Sequence, residues 1–276
     1  MGTLPGVSCY SDFHGRTLGA LSFTFSREVQ KTNFPELPVK RIKFCTVDSD
    51  PQINQLENLL KEYKMAFILT EIIQGEGGLN VASKLFIQNI RKLADEYNVP
   101  LIFDEVQSGM GRTGKWWAYE HYRVEPDIMT VAKALQVGAT VYDKKYEPTE
   151  SGVLSSTWGG GSRIDMAIGS KIIEIIMRDK LLSNSQKIGN MLLENFVGLV
   201  GINGLIDARG IGLMIGLEFD TRTTRDNIVN RLFKKGLLVL PAGIKSIRIM
   251  PPLIINEEEA TKGISTINDT INEYNK

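Results

Sequence analysis

The sequence predicts an α/β protein, with a large domain on a mostly parallel sheet followed by a smaller α+β C-terminal domain. Three observations carry this. MAFILTEII, SKLFIQNIRKLADEYNV and LIFDEV read in order as buried strand, amphipathic helix and buried strand, the unit from which parallel sheets are assembled. A further apolar run, IMTVAKAL, follows and carries a single lysine. Beyond Asp179 short helical and strand patterns alternate, with glycine and proline between them. The expected division is 1–179 for the large domain and 180–276 for the small one.

Composition is compatible with this and argues against other classes. A chain of 276 residues, 42% hydrophobic and 23% charged, is ordinary for a globular protein. Lys plus Arg and Asp plus Glu both number 32, so no bulk charge favours nucleic acid or an anionic membrane. Small-molecule chemistry is the better expectation. Only Cys9 and Cys45 are present, without metal-type spacing, which reads as free thiols in an intracellular protein. The N-terminus has no basic segment leading into an apolar run, and no stretch reaches the roughly 18 to 20 apolar residues of a membrane span. A cytoplasmic protein is expected, with no metal site.

Taken in order, the chain opens with a short apolar, glycine-containing piece. Asp12 to Thr17 then place an aromatic, an imidazole and a guanidinium on one turn. INQLENLLKEY repeats its apolar residues at three and four and reads as a helix. The strand ending in Glu71 runs into the loop QGEGG, whose glycines let the backbone approach a ligand. Met110 to Lys115 is a glycine-rich loop lacking the P-loop lysine-serine ending, and is assigned to shaping a pocket. Trp116, Trp117 and Tyr119 read as core packing or a domain interface. After IMTVAKAL, the residues Gln136 to Ala139 lead directly to a strand, and a polar loop from Glu147 to Val153 precedes SSTWGGG. Arg163 to Met177 form a long helical pattern bridging to the C-terminal module. There the order is the helix IGNMLLENFVGLV, the strand ARGIGLMIGLEFD, the helix TRDNIVNRLFKKG, the strands LLVLPAG and SIRIMPPL, and a surface helix ATKGISTINDTINEY.

The chemistry concentrates where charges end apolar runs. Asp104 closes LIFD and Lys133 follows IMTV, so an acid and an amine face one pocket from the carboxyl ends of neighbouring strands. Pyridoxal phosphate requires that pair: a lysine to form the Schiff base, and a carboxylate to keep the pyridine nitrogen protonated. Arg248 lies between apolar residues before a double proline. A guanidinium there requires an anionic partner, either a substrate carboxylate or an internal acid.

Phe13-His14-Gly15-Arg16-Thr17, Glu71 to Gly78, Asp104 to Gly114, the lysine of VAKAL, Ser156 to Gly160, Ala208-Arg209-Gly210 and Ile247-Arg248-Ile249 follow one another over nearly the whole chain. Together they resemble the ω subgroup, or class III, of the fold-type I PLP-dependent aminotransferases. The resemblance implies pyridoxal 5'-phosphate as cofactor, with Lys133 and Asp104 catalytic. It places Phe13 against one ring face, His14 in support of the ring, Val106 on the ring face and Gln107 near the ring hydroxyl. Thr157 matches the residue that reaches the cofactor phosphate of a partner subunit, implying a homodimer. Arg16 would take the distal carboxylate of a substrate and Arg248 the α-carboxylate of a 2-oxo acid, with Glu76 masking or releasing a substrate arginine. The implied reaction moves the terminal amino group of an ω-amino acid, 4-aminobutyrate first, to 2-oxoglutarate. A lysine 6-aminotransferase, an ornithine-type enzyme and a truncated non-catalytic relative are the alternatives.

Three departures qualify the match. Ile72 stands where the family usually has proline. The glycine-rich insert after the lysine is absent, which resembles the lysine and 4-aminobutyrate branches more than the acetylornithine branch. The chain also resembles the C-terminal two thirds of a typical member, without the upstream helix N-terminus whose amides bind phosphate, so weak cofactor retention is expected.

Overall fold

The computed structural model describes residues 4–154 and 160–274. In chain order the first strands are β1 (Gly6–Cys9), β2 (Val39–Ile42), β3 (Ile68–Glu71), a short ribbon of β4 (Ile73–Gln74) and β5 (Asn80–Val81), β6 (Leu101–Asp104), β7 (Ile128–Val131) and β8 (Ala139–Tyr142). The larger sheet has the order β2-β1-β3-β6-β7-β8. All its neighbours are parallel except β8, which runs antiparallel to β7.

Between these strands lie the helices α1 (Leu18–Ser22), α2 (Gln55–Glu62) and α3 (Lys84–Glu96). Apolar spacing explains the two longer ones: α2 buries Leu56 and Leu60, and α3 buries Phe86, Ile87, Ile90, Leu93 and Ala94. The hydroxyl of Ser83 accepts from the amide of Phe86, capping the N-terminus of α3. These side chains join Val7, Ile42, Ile68, Leu101 and Phe103 of the strands in one cluster. The strand–helix–strand unit read from the sequence is β3-α3-β6, with Glu71 in register with Asp104.

β1 and β2 were not legible as strands. Neither has a continuous apolar run, since β1 reads GVSC and β2 reads VKRI, and β2 is partly exposed over three of its residues. They matter because β1 pairs with β2 on one side and β3 on the other. The chain therefore reverses its direction of sheet growth at β1/β3, which is where open α/β sheets bind ligands.

The C-terminal part contains α4 (Arg163–Arg178), α5 (Leu181–Val197), β9 (Leu205–Ile211), β10 (Met214–Phe219), α6 (Arg222–Lys234), β11 (Leu240–Ala242), β12 (Ser246–Ile249) and α7 (Glu257–Asn272). Its sheet is antiparallel, in the order β11-β12-β10-β9, over a separate core that includes Leu192, Phe196, Ile215, Phe219, Ile228 and Ile247. Two expectations need correction here. ARGIGLMIGLEFD is a hairpin, β9 and β10, rather than one strand, because Gly212 takes φ +57 and turns the chain. The terminal helix is not merely superficial: α7 buries Ala260, Ile264, Ile267 and Ile271 in that core.

The two sheets are tied together by loops rather than strands. The glycine-rich loop read as pocket-shaping joins them, for Leu213 donates its amide to Arg112 O at 2.9 Å and the Arg112 guanidinium donates to Pro251 O. Trp116 and Trp117 pack with Met110, Ile176 and Leu181 between the two sheets' cores, the packing role expected of them. Among the described residues, no helix is long and apolar enough to cross a membrane.

Candidate active site

Four strand ends of the large sheet deliver the charged groups. Asp12 and His14 follow β1, Glu71 ends β3, Asp104 ends β6, and Lys133 lies two residues past β7. Parallel pairing makes this convergence unavoidable, because Glu71 is opposite Asp104 and Asp104 opposite Thr130. Asp12, Glu71 and Asp104 are all buried. Lys133 is not: the expectation of two charges at buried ends holds for the acid, whereas the lysine is exposed and opens a 3-10 turn with φ 47. The strand stops before it, so the sheet does not bury its stem.

His14 is the hub. Its Nδ1 donates to Asp104 Oδ2 at 2.8 Å, and its Nε2 lies 3.5 Å from Asp12 Oδ2. Burial opposes charge on this ring, but the bonds to Asp104 and Asp12 outweigh it and raise its pKa to about 10. Asp104 Oδ1 accepts from the amide of Val106 at 3.0 Å. Each carboxylate oxygen has a second lone pair, so Asp104 retains acceptor capacity for a ligand.

Glu71 is bound by backbone alone. Its Oε2 accepts from Phe13 N and its Oε1 from Gly75 N. Burial, reinforced by Asp12 and Asp104, raises its pKa well above the carboxylate range, against the pull of His14. Although Lys133 as a residue is exposed, desolvation around its ammonium lowers its pKa against the attraction of Glu71, Asp104 and Glu76. An amine held below the ordinary lysine range reaches its nucleophilic form more easily.

The remaining predicted residues divide. Arg248 and Glu76 come together, Nη1 donating to Oε1 at 2.5 Å, so the anion that Arg248 requires is supplied within the chain. Gln107 lies beside them, donating to Met250 Sδ at 3.6 Å, against Gly75, where any Cβ would collide with its amide oxygen. Phe13 and Val106 are half-buried next to the cluster in sequence. Arg16 stands apart: it is exposed, and among the described residues no acid pairs with it. Thr157 lies outside the described residues.

Two contributors escaped the sequence reading. Asp12 was seen only as the start of a turn, and Arg209 only as part of a motif. Arg209 grips the loop carrying Glu76, donating to Gly78 O at 2.6 Å and Leu79 O at 3.2 Å while its Nη1 bonds Asp207 and Glu218. The available signal was a guanidinium between the small residues Ala208 and Gly210 at the start of an apolar run.

The family pattern of class-III aminotransferases matches residues 6–271. The chain belongs to the class-III aminotransferase family. Among curated relatives, the acetylornithine aminotransferase of Prochlorococcus marinus is 41% identical over 98% of this chain and 66% of its own length. That of Methanocaldococcus jannaschii is 36% identical over 98% of this chain and 67% of its own. The chain thus spans about two thirds of the length of these relatives. Among solved structures, a lysine aminotransferase from M. tuberculosis superimposes with a TM-score of 0.90 at 28% identity, covering 97% of this chain and 66% of that one. The ornithine aminotransferase of Toxoplasma gondii gives 0.89 at 27%, covering 97% and 64%. These class-III relatives agree with the fold and cofactor that the resemblance implied. Their names also set the acetylornithine branch beside the lysine branch that the short stretch after Lys133 had favoured.

Proposed function

We propose that the chain carries the catalytic half-site of a PLP-dependent aminotransferase that takes the terminal amino group of an ω-amino acid and passes it to a 2-oxo acid such as 2-oxoglutarate. The observation that carries this is the convergence of buried Asp104, at the end of β6, and Lys133, just past the end of the adjacent parallel strand β7, whose ammonium is lowered in pKa by desolvation. The residues fit the cofactor: a buried carboxylate with spare acceptor capacity meets a pyridinium, and an amine of lowered pKa meets an aldehyde. When bound, pyridoxal phosphate supplies an electron-accepting ring. Asp104 holds the proton on the ring nitrogen. Lys133 Nζ anchors the cofactor, then removes a proton from the donor carbon and returns one as general acid. Phe13 and Val106 hold the ring faces, His14 backs Asp104, and Gln107 serves the ring hydroxyl.

Charge neutralisation selects the substrate. With Glu76 on Arg248, exposed Arg16, which no acid among the described residues pairs with, is the cation assigned to a donor's carboxylate. When the 2-oxo acid enters, Glu76 releases Arg248 to its α-carboxylate. 4-Aminobutyrate, lysine, ornithine and N-acetylornithine all carry a carboxylate remote from the reacting amine. The sequence favours 4-aminobutyrate, whereas the names of the relatives favour N-acetylornithine. Steady-state comparison of these donors decides between them. Arg16→Ala should weaken carboxylate-bearing donors by roughly 1.5 to 3 kcal/mol, the scale of a hydrogen bond to a charged group, while leaving simple primary amines less affected. Equal losses for both would remove Arg16 from substrate binding.

The proposal includes residues 1–179 as the cofactor-bearing domain, residues 180–276 as the small domain, and a cytoplasmic homodimer in which Thr157 reaches the partner's cofactor phosphate. The free, buried thiols Cys9 and Cys45 suit the location. Exposed Ile164, Met166, Ile168 and Met177 on α4 suit a subunit contact.

A further inference from the structure

We infer that Asp12 is a positioning residue for the cofactor's ring nitrogen: by facing Nε2 of His14 it keeps both imidazole nitrogens protonated, so that Asp104 meets the ring as an unprotonated carboxylate. The inference rests on the reading of this site as one for pyridoxal phosphate.

Asp12 is fully buried and its acceptor sites are organised by neutral donors. Oδ1 accepts from Gln74 Nε2 at 2.8 Å, and Oδ2 from Cys9 N at 3.2 Å. The Gln74 amide cannot reverse, because it also donates to Tyr10 O and its own oxygen accepts from Asn80. Among the described residues the sole cationic group in ion-pair range of Asp12 is His14. A buried carboxylate with only neutral partners is costly, so the ring between Asp12 and Asp104 is driven to carry charge.

The geometry favours one proton arrangement. Asp104 Oδ2 lies 2.8 Å from Nδ1, a hydrogen bond, and Asp12 Oδ2 lies 3.5 Å from Nε2, an ion-pair contact to a buried nitrogen that has no hydrogen-bond partner among the described residues, so a proton on each nitrogen puts a cation between the two carboxylates. The groups facing His14 from the packed strand ends are Asp12 after β1, Glu71 on β3, Asp104 on β6 and Lys133 after β7. Glu71 does not compete for the imidazolium, since its oxygens are taken by the amides of Phe13 and Gly75 and its neighbours favour the neutral acid. An imidazolium at Oδ2 lowers the proton affinity of Asp104, and the shared proton then resides on the ring nitrogen. With a neutral His14, Asp104 would be more basic and would draw that proton toward itself.

The chain has two histidines, His14 and His121, so imidazole 15N resonances are assigned with a single His121→Gln variant. In the wild-type protein without cofactor, His14 should show two protonated nitrogens at pH 7 and 8. In Asp12→Asn its titration should fall by at least about one pH unit, a tenfold loss of proton affinity. Loading with pyridoxal phosphate 15N-labelled in the ring should give a protonated pyridine signal in the wild type, displaced toward the unprotonated value in Asp12→Asn. Asp12→Ser repeats both measurements if the asparagine variant does not fold. A singly protonated His14 in the wild type at pH 7 overturns the inference without any variant. So does an unchanged His14 titration, or an unchanged pyridine signal, in a folded Asp12 variant. Failure of the wild type to take up labelled cofactor would sink the site reading, while the His14 spectra would still decide the state of the imidazole.

Discussion

Glu76 and Arg248 form an ion pair, and their side chains are only partly exposed, at 26% and 13%. Breaking it without a substrate carboxylate would leave a guanidinium half-desolvated, so Arg248 opens only to an anion. Asp104 carries a different burden. On the proposed reading its removal would leave the protonated ring nitrogen without a hydrogen-bond acceptor, and Asp104→Ala should still bind cofactor yet lose roughly 3 to 4 kcal/mol of transition-state stabilisation. Single-turnover rates measure this, and an unchanged rate would take Asp104 out of the chemistry. At this scale much was legible in the sequence, because a charge that ends an apolar run must have a purpose or a partner. Asp104, Lys133 and Arg248 stood out that way, whereas Glu76, in a glycine loop, came only from the family resemblance. Asp12 was not, because it stands in a polar turn where an acid needs no explanation until its burial is known. The exposure of Lys133 was equally hidden, since a strand's end cannot be read to the residue.

At the scale of elements, β3, α3 and β6 were legible because continuous apolar runs in the sequence contain both strands and the helix between them buries one regular face. The β9/β10 hairpin was not, because its turn, Gly212-Leu213, is flanked by apolar residues and glycine on both sides and reads as one continuous strand. That turn packs closely. A Cβ on Gly212 would lie 2.6 Å from the carbonyl carbon of Thr113, and α5 approaches through Gly189, whose Cβ would lie 2.2 Å from Gly212 O. Gly212→Val would add positive-φ strain to overpacking, and should cost about 2 to 5 kcal/mol in urea unfolding. A loss below about 0.5 kcal/mol, the scale of a neutral surface change, would show that the turn relaxes freely.

For the whole molecule, the buried charges predict how stability depends on pH. The folded pKa of His14, about 10, exceeds its ordinary 6.5. The stability it contributes is therefore fully present below pH 6.5 and is lost as pH rises through 10. Glu71, also raised, loses stability in the same direction from a lower starting pH. Denaturant melts should show a decline on the order of 3 to 5 kcal/mol between pH 7 and 10, much reduced in His14→Gln. Equal slopes for both proteins would mean that the decline arises elsewhere. The large sheet ends at β8, whose four residues are all exposed, and α4 shows an apolar face. Size-exclusion chromatography tests whether this surface pairs, and neither its partner nor its register was legible in the sequence, because the apolar spacing of α4 is what a buried helix would also show.

The most direct test of the central claim is borohydride reduction of the purified chain with pyridoxal phosphate, followed by peptide mapping. Label concentrated on Lys133, absent in Lys133→Ala and accompanied by a visible absorption band before reduction, is the predicted result. Label on a different lysine, or spread over surface lysines with no preference for Lys133, would contradict it.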